Sequence, residues 1–171
     1  MRLQLDRYES PLGTILLVTD TKGTLRALDF SDFESRMQRL LTSHYGEVML
    51  HDRSAPREIV QALDAYFSGD LGAIDSLIVE TGGTSFQREV WQALRGIAPG
   101  ETISYGQLAA RVGRPSASRA VGAANGQNPV AIVVPCHRVI GADGSLTGYG
   151  GSLPRKRWLL DHESVAVDSP V

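Results

Sequence analysis

The chain has 171 residues, 42% of them hydrophobic and 21% charged, with a formal net charge of −2. That composition excludes a disordered tail and a membrane-spanning protein, since no run of about 18 apolar residues occurs, and it suits one soluble protein or two small domains. A single cysteine, Cys136, excludes an internal disulfide and a cysteine-rich zinc site.

The opening residues, MRLQLDRYES, lack the apolar stretch of a signal peptide, so a cytoplasmic protein in a reducing compartment is expected. Leu3, Leu5 and Tyr8 alternate loosely with polar residues until Pro11-Leu12-Gly13 breaks the run. Thr14 to Thr19 is apolar and β-rich, Lys22-Gly23 is a turn, and Thr24 to Phe30 reads as a further strand. These segments predict a small antiparallel meander. Phe33, Met37, Leu40 and Leu41 then fall at helical spacing, as do Ile59, Leu63, Tyr66 and Phe67 after Pro56. No chemical motif lies in residues 1–80. Thr81-Gly82-Gly83-Thr84 predicts a linker over 81–84, leaving 85–171 as a second domain.

The second domain opens on a capping box, Thr84 with Gln87, ahead of an apolar stripe of Phe86, Val90, Trp91, Leu94 and Ile97. Pro99-Gly100 stops that helix. Ser104 with Gln107 is a second capping box, opening a short helix through Val112 that ends at Gly113. A further helix from Ser116 to about Asn125 would complete a helix-turn-helix. Ala131 to Val134 reads as a short buried strand leading into Pro135-Cys136-His137-Arg138. Asp143-Gly144 is a turn, Gly148-Tyr149-Gly150-Gly151 a loop, and Ser152 with Pro154 begins a last helix through about His162.

Charge is split between the halves. Residues 1–84 carry 8 basic and 13 acidic side chains, and residues 85–171 carry 9 and 6. From Arg111 to Arg157, the basic residues Arg111, Arg114, Arg119, Arg138, Arg155, Lys156 and Arg157 meet only one acid, Asp143. Such a bias suits a polyanion partner, although a solvated basic face would look the same. A lone cysteine is commonly an inert buried thiol. Here a nucleophile is the sharper reading, because His137 and Arg138 follow Cys136 at once, and a nearby base and cation favour the thiolate. A base needs an orienting acceptor. Glu89, Glu101, Asp143, Asp161, Glu163 and Asp168 are the candidates, with Glu163 ahead because Trp158, Leu159 and Leu160 would dock its helix on the core. The helix from Ser116 is nearly all small residues around one Arg119. It could pack tightly in the core, or press into a minor groove about 6 Å wide with the arginine as a wedge.

The run Ile132-Val133-Val134-Pro135-Cys136-His137-Arg138-Val139-Ile140 strongly resembles the active-site signature of the O6-alkylguanine-DNA alkyltransferases, or methylated-DNA–protein-cysteine methyltransferases. Phe86 to Trp91, Ile103-Ser104-Tyr105, Arg119-Ala120-Val121-Gly122, Asn128-Pro129, Gly148-Tyr149-Gly150-Gly151 and Trp158-Leu159-Leu160 with His162-Glu163 occur in family order. The likeness is tight over 81–164 and looser before it, and the whole chain most resembles the constitutive bacterial, single-function kind. The resemblance implies an α+β protein: an N-terminal ribonuclease-H-like sheet with helices, then a mostly helical domain with a helix-turn-helix and an active-site loop. It implies irreversible, single-turnover transfer of an alkyl group from O6-alkylguanine, and O4-alkylthymine, in duplex DNA to Cys136 by base flipping.

By the same resemblance, His137 acts as base through a water and Glu163 holds its imidazole. Tyr105 donates toward guanine N3, and Asn128 ties the helix-turn-helix to the active-site segment. Arg119 enters the duplex from the minor groove, with Ser116, Ala120 and Tyr105 at the DNA. Trp91, Val139, Tyr149 and Gly150 wall the base pocket. Gly150 departs from relatives that carry serine there, and the N-terminal cysteines that hold zinc in some relatives are missing, so neither zinc nor any cofactor is expected. No protein partner is implied. A lesion sensor that does no chemistry, a cysteine hydrolase and a sequence-reading regulator are the competing readings.

Overall fold

The computed structural model describes residues 1–168. Strand β1 (Arg2–Ser10) turns through Pro11 and Leu12 into β2 (Gly13–Asp20), antiparallel in the register Ser10 opposite Gly13. Gly13 sits at φ 103, a region open to glycine and strained for other residues. At the next turn Asp20 accepts the backbone N–H groups of Lys22 and Thr24 and the Nε of Arg26, which fixes the entry into β3 (Leu25–Phe30). Ile15, Leu16, Leu17 and Val18 are each at most 1% exposed, so β2 is covered on both faces and reads as a continuous apolar run.

Helix α1 (Glu34–Tyr45) lays Met37 and Leu41 on one sheet face against Leu3, Leu5, Leu16, Val18 and Ala27. Truncating any of the large members of this cluster to alanine would cost about 2–5 kcal/mol. Phe33 lies in a 3-10 turn ahead of α1 and is half-buried. Strand β4 (Met49–Asp52) was not legible in the sequence. It pairs parallel to β1, so the sheet order is β3-β2-β1-β4 and only the first three strands form the expected meander. Helix α2 (Arg57–Phe67) buries Ile59, Ala62, Leu63 and Tyr66.

Two later segments pair with β3. Leu25 exchanges backbone bonds with Ile78 and Glu80, and Leu28 with Pro129 and Ala131. Residues 129–133 therefore belong with Met1–Gly83 in one compact unit, and Thr84–Asn128 with Val134 onward forms the other.

The expected strand over Ala131–Val134 is not one. After the bridge at Val130 the chain makes two γ-turns in succession. Ile132 stands at φ 70 inside a bond from Val133 N–H to Ala131 O, and Pro135 at φ −83, ψ 65 inside a bond from Cys136 N–H to Val134 O. Positive φ at a β-branched residue is strained by about 1–3 kcal/mol.

In the second unit α3 (Ser85–Leu94) begins with the expected capping box of Thr84 and Gln87 and buries Val90, Trp91 and Leu94. A two-residue strand β5 (Ile103–Ser104) leads into α4 (Tyr105–Arg111) through the second box, Ser104 with Gln107. Gly113, at φ 76, ends α4 in a Schellman turn: its N–H bonds Ala110 O, and Arg114 N–H bonds Ala109 O. Helix α5 (Ser118–Gly126) starts two residues later than expected, leaving Ser116 in the preceding turn. Strand β6 (Val139–Ile140) pairs parallel to β5, and α6 (Leu153–Asp168) runs past the predicted end at His162. Among the described residues no helix is long and apolar enough to cross a membrane.

Candidate active site

Cys136, His137 and Arg138 form one 3-10 turn directly after the Pro135 γ-turn. The successive side chains of such a turn diverge, so the thiol and imidazole need not lie on opposite faces as they would on a strand. Cys136 is 7% exposed, while His137 is fully buried and Arg138 is 2% exposed. Two side-chain amides hold the turn. Asn128 Nδ2 donates to Val134 O at 2.8 Å and Asn125 Nδ2 to Cys136 O at 3.4 Å. Trp91 Nε1 donates to Ala124 O at 2.8 Å, which fastens α3 to α5 beside them.

The carboxylate of Glu163, fully buried on α6, meets both the imidazole and the guanidinium of the turn. His137 Nε2 lies 2.7 Å from Oε2, Arg138 Nε donates to Oε1 at 2.8 Å, and Arg138 Nη2 donates to Oε2 at 2.9 Å. The remaining guanidinium arm, Nη1, donates to Ile97 O at 2.6 Å. Because a carboxylate only accepts, His137 carries its proton on Nε2, and Nδ1 is left as a buried lone pair with no protein partner. Burial opposes the charge on Glu163, but the hydrogen bonds from His137 and Arg138 and the charge of Arg138 prevail and hold its carboxyl far below the usual range. Burial also pushes the His137 imidazole below its ordinary value; Glu163 pulls it up, and Arg138 and Lys156 push it further down. The balance favours an ionised Glu163, and burial favours a neutral His137.

Lys156, fully buried on α6, donates Nζ to Val139 O at 2.6 Å and to Thr147 O at 2.7 Å, tying the loop after β6 back to the turn. Burial lowers its ammonium, while Cys136, when ionised, favours it. Arg138 and Lys156 are therefore interior groups, which corrects their place in the expected solvent-facing basic run. Of the other members, Arg111 pairs with Glu101, Arg114 reaches Glu89 and lies over the Phe86 ring, and Arg155 donates to Gly151 O.

Tyr105 heads α4, its ring about 3.5 Å from where a Cβ on Gly122 would stand, and its hydroxyl accepts from Thr147 Oγ1 at 3.3 Å. The small residues of α5 thus serve close packing at Gly122, while Arg119 and Ala120 are exposed at its start, as is Ser116 before it. Val139 is fully buried, Tyr149 is half-buried with its hydroxyl inside, and Gly150 is exposed. Sequence reasoning named Arg138 only as a cation near Cys136 and missed its pairing with Glu163, and it missed Lys156 and Asn125 altogether. The two on or facing α6 had a signal: Lys156, Leu159 and Glu163 recur at i, i+3 and i+7, one buried helix face with a charge at each end. Among the described residues no three acid, histidine or cysteine side chains group as metal ligands would.

The profile for "6-O-methylguanine DNA methyltransferase, DNA binding domain" matches residues 85–165, and that for its "ribonuclease-like domain" matches residues 6–81. A methylated-DNA–protein-cysteine methyltransferase of Salmonella typhimurium is 52% identical over 165 residues, covering 95% of this chain and 96% of that protein. One from Methanosarcina acetivorans is 44% identical over 156 residues, 91% and 95% of the two chains. Among solved structures, Mycobacterium tuberculosis OGT in complex with DNA superposes with a TM-score of 0.81 at 39% identity, covering 97% of this chain and 94% of that one.

Proposed function

The chain belongs to the 6-O-methylguanine DNA methyltransferase family, and from that membership we propose that it repairs DNA by moving the alkyl group of O6-alkylguanine, and of O4-alkylthymine, irreversibly onto Cys136. The observation that carries this reading is the tautomer that Glu163 favours on His137, which leaves a buried lone pair on Nδ1 of the residue that follows the only cysteine in the same turn.

The chemistry is set by that arrangement. The Cys136 S–H bond breaks and its proton passes to His137 Nδ1 through a water, leaving the electron pair on sulfur. The sulfur attacks the alkyl carbon in line as the carbon–O6 bond breaks, and the pair released to guanine is met by a proton at N3 from the Tyr105 hydroxyl. The proton lost by sulfur and the one gained by guanine balance overall. The thioether product is inert, and no group in the chain removes it, so each molecule acts once.

Double-stranded DNA is the partner, entered from the minor groove. Arg119, exposed at the start of α5, fills the space of the flipped nucleotide, with Ser116, Ala120 and Tyr105 at the backbone and groove floor. Val139, Tyr149 and Gly150 wall the base pocket, and Trp91 backs it through its bond to Ala124 O. Asn128 keeps the helix-turn-helix in register with the nucleophile turn. Residues 85–171 act as the alkyltransferase domain, joined by 81–84 to the 1–80 domain, in the cytoplasm. Mass spectrometry after incubation with duplex DNA containing O6-methylguanine decides the matter. One stable methyl on Cys136 per molecule supports transfer. No gain would leave a lesion sensor, and more than one methyl lost from DNA per protein would end the single-turnover reading.

A further inference from the structure

The usual histidine relay presents its carboxylate to the imidazole alone, so that the anion raises the imidazole's basicity. Here the carboxylate is shared. Arg138 grips both oxygens of Glu163 at 2.8 and 2.9 Å and commits its third arm to Ile97 O, while His137 takes a single bond at 2.7 Å. All three side chains are at most 3% exposed, so solvent screens none of these charges. An unshared anion at that distance would raise the imidazole's basicity against the burial that opposes it, and so enlarge the share of imidazolium at a given pH. An imidazolium has no lone pair on Nδ1 and cannot take a proton from the thiol.

We propose that Arg138 is a positioning residue that sets the resting charge of the relay: by neutralising Glu163 in a two-pronged pair, it lets the carboxylate orient the imidazole without protonating it. The inference rests on alkyl transfer at Cys136 being the reaction. Among the described residues, the charged groups facing His137 come from its own turn and from α6, and Glu101, ahead of β5, faces Arg138 from outside. Arg138 and Cys136 share its turn, and α6 supplies Glu163 and Lys156. Helix α3, packed on the same turn, turns Val90, Trp91 and Leu94 inward and adds no charge there. Lys156 acts in the same sense as Arg138 but holds backbone carbonyls, so it does not compensate the carboxylate. Removing the guanidinium raises the pH at which the Cys136–His137 pair loses its first proton, whichever of the two gives it up, because either loss is eased by a nearby cation.

The test measures single-turnover alkylation by O6-benzylguanine, a free base that needs no DNA, from about pH 4 to 9, with the His137 imidazole titrated by nitrogen NMR. In the intact chain the rate falls only below the ordinary imidazole range of about 6.5. In Arg138→Met the falling limb moves up by about one pH unit or more, and Arg138→Lys, which keeps the charge without the fork, stays within about half a unit. An unmoved limb in Arg138→Met, with the same loss at every pH, would make Arg138 merely structural and overturn the proposal. So would an Arg138→Lys limb displaced as far as that of Arg138→Met. If Arg138→Met does not fold, the intact chain decides: a neutral His137 carrying its proton on Nε2 at neutral pH supports the proposal, and an imidazolium there refutes it. An intact chain that takes up no benzyl group would sink the transfer reading instead, and the imidazole titration would still report on Arg138.

Discussion

Glu163→Gln tests the site's energetics and its chemistry together. The glutamate is fully buried and accepts bonds from His137 Nε2, Arg138 Nε and Arg138 Nη2 at 2.7–2.9 Å. A glutamine keeps one acceptor but turns an NH2 group toward donors, and it leaves the guanidinium without an anion in the interior. Breaking a buried pair from one side costs about 3–5 kcal/mol. With a urea dependence of about 2 kcal/mol per molar for a chain this size, the midpoint should fall by about 2 M. The chemistry should suffer as well, because the glutamine NH2 can donate to Nε2 and so move the imidazole proton to Nδ1, where the base is needed. A loss of about 100-fold or more in alkylation rate is expected. Pairing the change with Arg138→Met removes the stranded cation, so the double variant should regain much of the lost stability. A single variant that loses less than about 1 kcal/mol, or a double variant that loses the sum of the two, would refute the view that the pair is an uncompensated charge when halved.

Acid should weaken the fold in two stages. His137 and Glu163 both hold folded values below their free ones of 6.5 and 4.5, so the unfolded chain binds each proton first as pH falls. Their contribution is complete above pH 6.5, declines below it on account of His137, and declines again below 4.5 on account of Glu163. Urea midpoints that stay level from neutral pH to about pH 5 would contradict the buried neutral imidazole. Gly82→Ala should destabilise the first unit by about 1–3 kcal/mol, since a Cβ there would stand 2.5 Å from His44 Cβ and 3.2 Å from His44 O. A thermal melt within error of the parent would show that the backbone yields there. Arg119→Ala should leave the fold intact and slow repair of duplex DNA at least about tenfold more than reaction with free O6-benzylguanine, the difference being the work of extrusion. Equal slowing on both would remove Arg119 from that role.

The parts of this fold that were legible in the sequence are those whose cause is local. Both capping boxes, the Pro11-Leu12 and Lys22-Gly23 turns and the apolar stripe of α3 arise from residues within four positions of one another. Strand β4 escaped because Met49–Asp52 is mostly exposed and owes its strand form to a partner, β1, 47 residues away in sequence at each pair from Arg2 with Met49 to Leu5 with Asp52. The segment before Cys136 misled for a related reason. Ala131 to Val134 is apolar enough for a buried strand, and it is buried, but the backbone bond from Ala131 to Leu28 ends the pairing there.

The path of the chain beyond Ala131 is also what builds the site. A strand continued to Pro135 would have set the Cys136 and His137 side chains on opposite faces. The two γ-turns instead coil the chain into a 3-10 turn, so that His137 and Arg138 reach the same carboxylate on α6 while Asn125 and Asn128 hold the carbonyls on either side. The strained φ of Ile132 is stored next to the nucleophile rather than in it, and a fully buried side chain at that residue keeps it from relaxing. Periodicity places a residue on a face. It does not reveal that a proline and a strained isoleucine have bent the chain so that neighbours share a partner. The cysteine and its histidine neighbour therefore stood out by composition and adjacency, and the carboxylate that meets the histidine by its helix, but the arginine that divides that carboxylate with His137 is visible only once the turn is drawn.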